Sequence, residues 1–193
     1  LLGRTPLTLL LSAQIAKTRG NEDKTQALLE QLLEYKETEY LAARSLSDSA
    51  SKLDNLPKAL HLAQKAQAMN PKNSASTLAV ISLEVRLNRW HEALHHLQNS
   101  RFPRKEKKRI QALIQLARGE LLLEEGHDEK ALAMARNVIS ILPNFVPAIV
   151  FVARAYSENN MQRKAISLLT KAWKNNPSPL IADTLSDVTA HEQ

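Results

Sequence analysis

Residues 112–145 read ALIQLARGELLLEEGHDEKALAMARNVISILPNF, and residues 146–179 read VPAIVFVARAYSENNMQRKAISLLTKAWKNNPSP. The two stretches are one 34-residue unit written twice, with Ala131 returning as Ala165 and Pro143 as Pro177. In the first copy Gly119 is followed by Ala131, Ala135 and Pro143. In the second, Ile149, Val152, Ala153 and Tyr156 are followed by Ala165, Leu169, Ala172 and Pro177. A small residue in mid-helix lets a neighbouring helix approach closely. A proline restricts the residue before it and cannot continue the hydrogen-bond ladder, so it ends the unit.

Upstream the same phrase recurs less regularly. QALLEQL, KALHLAQ, EALHHLQ, KALAMAR and KAISLLT each carry one alanine followed by an aliphatic residue. These alanines, Ala27, Ala59, Ala93, Ala131 and Ala165, are spaced by 32, 34, 38 and 34 residues. With the prolines Pro71, Pro143 and Pro177 in phase, period and pattern are the tetratricopeptide signature. The expected fold is all-α: a right-handed tetratricopeptide-like solenoid of about five helix pairs and a C-terminal capping helix, one superhelical domain over residues 1–193. The pairs are expected over about 5–37, 38–72, 73–102, 103–144 and 145–179, with the cap at 180–189. Each pair is too small to bury its apolar face alone, so neighbours must stack. The 38-residue step predicts four inserted residues between Arg101 and Gln111 and a long first helix, Lys105 to Glu125, in the fourth pair.

Local signals agree. Thr5-Pro6 opens a helix whose apolar face is read as Leu7, Leu10, Leu11, Ile15 and Ala16, and Gly20 stops it. The partner helix is read from Asn21 to Tyr35, and the second pair from Thr38 to about Leu53 and from Leu56 to Met69. Gly126-His127 joins the fourth pair. Four glycines and no sustained β alternation argue against sheets. The absence of cysteine excludes disulfides, thiolate nucleophiles, iron–sulfur clusters and covalent c-type heme attachment. A net charge of +6 selects no nucleic-acid partner. No apolar run approaches the length of a membrane span.

Three constellations carry possible chemistry. His91-Glu92-Ala93-Leu94-His95 matches the H-E-x-x-H pattern of zinc hydrolases. Ala93 is the packing residue, however, and the histidines stand roughly 200° from it, on the outer surface. A catalytic zinc needs a further ligand and a cleft; Glu120 and His127 are the candidate donors, and no spacing brings them there. His61, His96, His127 and His191 are read as solvated or helix-end residues. The run Arg101 to Arg109, RFPRKEKKR, offers six basic residues to an anionic partner and lacks the aromatic ladder of single-strand binders. Third, the first helices of a solenoid line its inner, concave surface. By repeat phase that face presents Arg44, Asp48, Lys52, Ser82, Arg86, Glu120 and Arg154, interleaved with Leu78, Val85, Leu116, Leu123 and Val150. These are the expected partner-binding residues. Arg44 and Asp48 stand where chaperone-docking domains of this type carry lysine and asparagine. Trp90 and Trp173 are read as closing repeat interfaces. No catalytic residue and no resident metal is expected.

The opening Arg4-Thr5-Pro6-Leu7-x-Leu9-Leu10-Leu11-x-Ala13-Gln14 and the closing Ala172-Trp173-Lys174-x-x-Pro177-x-Pro179-x-Ile181-Ala182, with the five pairs between, resemble the tetratricopeptide region of the HemY family. The segment Thr184 to Val188 departs from that family, which has an aromatic residue there. The resemblance implies a non-catalytic scaffold for protein partners, heme-pathway enzymes among them. It also implies an anchor of membrane-spanning helices ahead of Leu1 in the bacterial inner membrane, with the cytoplasmic side favoured. The alternative within the same biology is direct heme or tetrapyrrole binding, with a His or Met axial ligand and basic residues meeting the propionates. The less favoured alternative is a zinc hydrolase.

Overall fold

The computed structural model describes residues 5–190, so Arg4 and His191 lie outside the described residues. Among the described residues there are eleven α-helices and no strand. The architecture is all-α and tetratricopeptide-like, helical hairpins following one another along the chain. It divides into two compact units, the first ending at Arg101 and the second starting at Phe102.

The first unit holds three hairpins: α1 (Pro6–Thr18) with α2 (Glu22–Leu32), α3 (Lys36–Lys52) with α4 (Leu56–Met69), and α5 (Ser74–Arg86) with α6 (Trp90–Asn99). The second unit holds α7 (Arg104–Glu124) with α8 (Asp128–Ile141), α9 (Val146–Glu158) with α10 (Gln162–Asn175), and the closing helix α11 (Pro179–Ala190). Within each unit every helix packs on the next, and α9 also meets α7 and α11. No helix among the described residues is long and apolar enough to cross a membrane.

Local chemistry sets the helix starts. Thr5 and Thr8 form a reciprocal capping box ahead of Pro6, and Asn21, Asn55 and Asn73 cap α2, α4 and α5 by accepting backbone amides. The boundaries between α2 and α3 differ most from the sequence reading. α2 stops at Leu32, where the chain passes into tighter turns and the Thr38 hydroxyl donates to the Leu32 carbonyl at 2.9 Å. Thr38 therefore closes α2 from inside α3, which starts two residues before it.

All five hairpins turn in the same way. A residue with positive φ follows the first helix of each: Gly20, Asp54, Asn88, Gly126 and Asn160, at φ between 57° and 75°. Two backbone hydrogen bonds close every turn, as in Gly20 N–H to Lys17 O (3.1 Å) and Asn21 N–H to Ala16 O (3.0 Å). Asn160 and Met161 repeat them on Ser157 and Tyr156 at 2.9 and 2.8 Å. This double bond is the Schellman closure of a helix end. The turn residues are spaced by 34, 34, 38 and 34.

The packing residues keep the same beat, with one correction. Ala59, Ala93, Ala131 and Ala165 are fully buried. Ala27 is exposed, and its place is taken by buried Thr25, 34 residues before Ala59. Thr25 satisfies its hydroxyl on the Asn21 carbonyl at 2.8 Å, so it serves as a small apolar contact. From each of these positions the buried face continues one turn on: Leu29, Ala63, Leu97, Ala135 and Leu169. α1 is also rotated from expectation. Leu9, Ala13 and Ala16 are buried, whereas Leu7, Leu11 and Ile15 face outward. The insertion falls as expected: α7 has 21 residues against 13 in α5 and α9, while α6 has only 10.

The second unit centres on Phe151, 1% exposed and packed among Leu116, Ala131, Ala135 and Val138. Gly119 on α7 lies against that ring, and a methyl group built there would overlap it. Overpacking of this kind costs about 1–3 kcal/mol. Gly119→Ala should therefore lower the thermal midpoint despite its gain in helix propensity, and adding Phe151→Leu should recover part of the loss. A second melting experiment tests the register: Ala59→Leu should cost about 1–3 kcal/mol, while Ala27→Leu should leave stability within about 0.5 kcal/mol of the parent.

Candidate interaction surfaces

In the first unit the outward stripe of α1 is apolar. Leu7, Leu11 and Ile15 recur every four residues and are 64%, 56% and 50% exposed. On α3, Leu41, Arg44, Asp48 and Lys52 are also outward and one helical turn apart. A groove of about 430 Å³ runs among α1, α2 and α3. Leu10, Leu11, Leu41 and Leu53 give its apolar walls, and Gln14, Lys17, Lys52 and Glu22 its polar points. Exposed leucines in a recess of this size can take aliphatic side chains, and the lysines can meet a carboxylate.

The remaining expected residues are placed as follows. Ser82 and Arg86 are both exposed on α5. Arg86 is already engaged, donating to the Ser51 hydroxyl and pairing with Asp54 at 3.1 Å, so it ties α5 to the turn after α3. In the second unit Glu120 on α7 is half-buried and Arg154 on α9 is exposed. Burial raises the Glu120 carboxyl above its ordinary range; the charge of Arg154 opposes that rise and Glu124 adds to it. Arg154 also lines a cavity of about 260 Å³ with Ser157, Glu158, Thr184 and Asp187, between α9 and α11. Arg44, Asp48 and Lys52 thus share one stripe, Ser82 and Arg86 another, and Glu120 and Arg154 sense each other in the second unit.

Several side chains depart from the sequence reading. Leu116 and Val150, expected among the surface polar groups, are buried in the core of the second unit. Leu123 is half-buried and packs on the same core. Trp173 does not close an interface; it is 41% exposed. His91 and His95 face outward as expected, and His95 shares a hydrogen bond with Asn99. Among the described residues no three His, Cys, Asp or Glu side chains come together as metal ligands would.

His96 lies in the last turn of α6, part-exposed, and is also paired. Its Nδ1 lies 2.8 Å from a carboxylate oxygen of Glu84, which is 2% exposed. By repeat phase Glu84 occupies the place held by Ala16, Ala50, Leu122 and Tyr156 in the other hairpins. That phasing was the available signal, because it sets a carboxyl on a packing face. Burial pushes the Glu84 carboxyl up, while attraction and hydrogen bonding from His96 pull it back down only in part; Glu92 adds to the rise and Arg89 opposes it.

The comparisons with known proteins come down to fold. No family model matches the sequence, and no curated protein matches it. Solved structures do. MamA 41-end from Desulfovibrio magneticus RS-1 superposes with a TM-score of 0.63 at 11% identity, over 90% of this chain and 96% of that one. YrrB, described as a TPR protein with an unusual peptide-binding site, gives 0.57 at 19% identity, over 91% and 88%. PilW, a type IV pilus biogenesis factor, gives 0.56 at 18% identity, over 98% and 90%. At these identities the likeness establishes the tetratricopeptide architecture.

The Glu84–His96 pair yields a pH test. A folded carboxyl raised above its unfolded value contributes stability that is complete below the unfolded value, near 4.5, and is lost as pH rises through the folded value. Glu84→Gln keeps the shape and removes the charge. By this linkage it should stabilise the protein relative to the parent at pH 8, and the gain should vanish below the unfolded value, as read by urea unfolding across pH.

Proposed function

We propose that this chain is a non-catalytic protein-interaction scaffold, docking partners on the outward faces of its first helices. The observation that carries this reading is the recess of the first unit. Exposed Leu11, Leu41 and Leu53 line it with Lys17 and Lys52, and Arg44 and Asp48 lie outside the recess on the outward stripe of α3, a mixture suited to peptides or partner helices. The likeness to YrrB, a TPR protein with an unusual peptide-binding site, supports the class of ligand. The HemY resemblance of the two end motifs supports a finer reading: the repeat region of a membrane-anchored bacterial protein that gathers heme-pathway enzymes on the cytoplasmic side of the inner membrane. In that reading Arg44 and Lys52 select acidic features, and Arg154 with Glu120 does the same work in the second unit.

Capture of heme-pathway enzymes from a bacterial membrane extract by the immobilised chain is the direct test. Leu11→Asp and Arg44→Glu each alter an exposed side chain, and each should weaken capture at least about tenfold. Undiminished capture by both variants places the partner elsewhere.

A further inference from the structure

The basic run that opens α7 has no part in the scaffold reading, yet it borders a second surface. Two cavities flank the turn between α8 and α9 and share Pro143 and Asn144. The larger, about 610 Å³, has a floor of Ile139, Val146, Ile149, Leu168 and Ile181, with Lys171, Asn144, Asn175 and Asn176 around it. The smaller, about 330 Å³, is lined by Lys105 and Arg109 from α7 with Ile141 and Phe145. Phe145, 39% exposed, adjoins Asn144 in the turn.

We infer that this turn is the centre of a docking surface for an acidic protein segment that also carries apolar side chains. Charge complementarity decides the occupant. Lys105, Arg109 and Lys171 make no ion pair among the described residues, and the side chains of Asn144, Asn175 and Asn176 have no hydrogen-bond partner there. No Asp or Glu lines either cavity. α9 also begins at this turn without a side-chain cap; Pro147 offers no N–H, so Val146 and Ala148 supply the amides that add partial positive charge. The cations and amides would meet carboxylates, and the apolar floor requires aliphatic or aromatic side chains between them. A nucleic acid offers no such side chains, and its single strands prefer several stacking aromatics, where this surface has Phe145 alone. A lipid surface is met by protruding apolar groups, whereas this floor is recessed. The surface lies in the second unit and does not depend on the groove of the first.

The test selects random 16-residue peptides displayed on phage against the whole immobilised chain, then measures the recovered peptides free in solution by fluorescence anisotropy. The expected result is a class rich in Asp or Glu next to Leu, Ile or Phe. Lys105→Glu with Lys171→Glu should weaken that class at least about tenfold. Lys105→Arg with Lys171→Arg should retain binding, and Arg44→Glu should not change it. All these side chains are exposed, and circular dichroism verifies that each variant folds. The inference is overturned if no recovered peptide responds to the double reversal, or if the responding peptides lack acids. It is equally overturned if a twenty-nucleotide oligothymidylate or phosphatidylglycerol vesicles bind more tightly than any peptide and lose that binding to the same reversal.

Discussion

Close approach between the two helices of a hairpin rests on one small side chain per hairpin. Thr25, Ala59, Ala93, Ala131 and Ala165 sit on the second helix where it meets the first, and the four alanines are fully buried. A larger group there would hold the helices apart and open a void along their length, because dispersion contacts fall off steeply with separation. The larger apolar residues one turn on, such as Leu29, Leu97 and Leu169, can reach across only because that first contact is short. Gly119 carries the same logic to its limit on α7, where the space a methyl would take is filled by the ring of Phe151.

This explains which parts of the architecture could be read from residue types. The beat of alanines and prolines identified the hairpins and the insertion ahead of Gln111. Ala27 was misassigned because the sequence there offers alanine and threonine two residues apart, and only a strict count from Ala59 selects Thr25. The positive φ of the turns at Asp54, Asn88 and Asn160 escaped for a related reason. Glycine announces positive φ, whereas asparagine and aspartate adopt it only where the surrounding hydrogen bonds require it.

The surface was less legible than the core. Repeat phase put Arg44, Asp48, Lys52 and Ser82 at the surface, and all four are exposed, because a helix periodicity fixes direction. It did not reveal that Leu7, Leu11 and Ile15 form an exposed stripe, since any run of aliphatic residues in α1 looks like a packing face until its neighbour is known. Nor could it show that Lys105, Arg109 and Lys171, far apart along the chain, would border one turn. The buried Glu84 lies between these cases. Its position follows from the repeat, but its partner His96 depends on how α6 rotates against α5.

Asp54 joins two of these features. It holds a backbone conformation that glycine would adopt at less cost, and its carboxylate grips Arg86 of the following hairpin. A glycine at that place would relax the bend but leave the guanidinium without its anion. The side chain therefore works as a latch between successive coils of the chain, closed only while both are folded. The pair is largely exposed, so it adds only weakly to the join, and the bend after α3 keeps its own two backbone hydrogen bonds when α5 loosens.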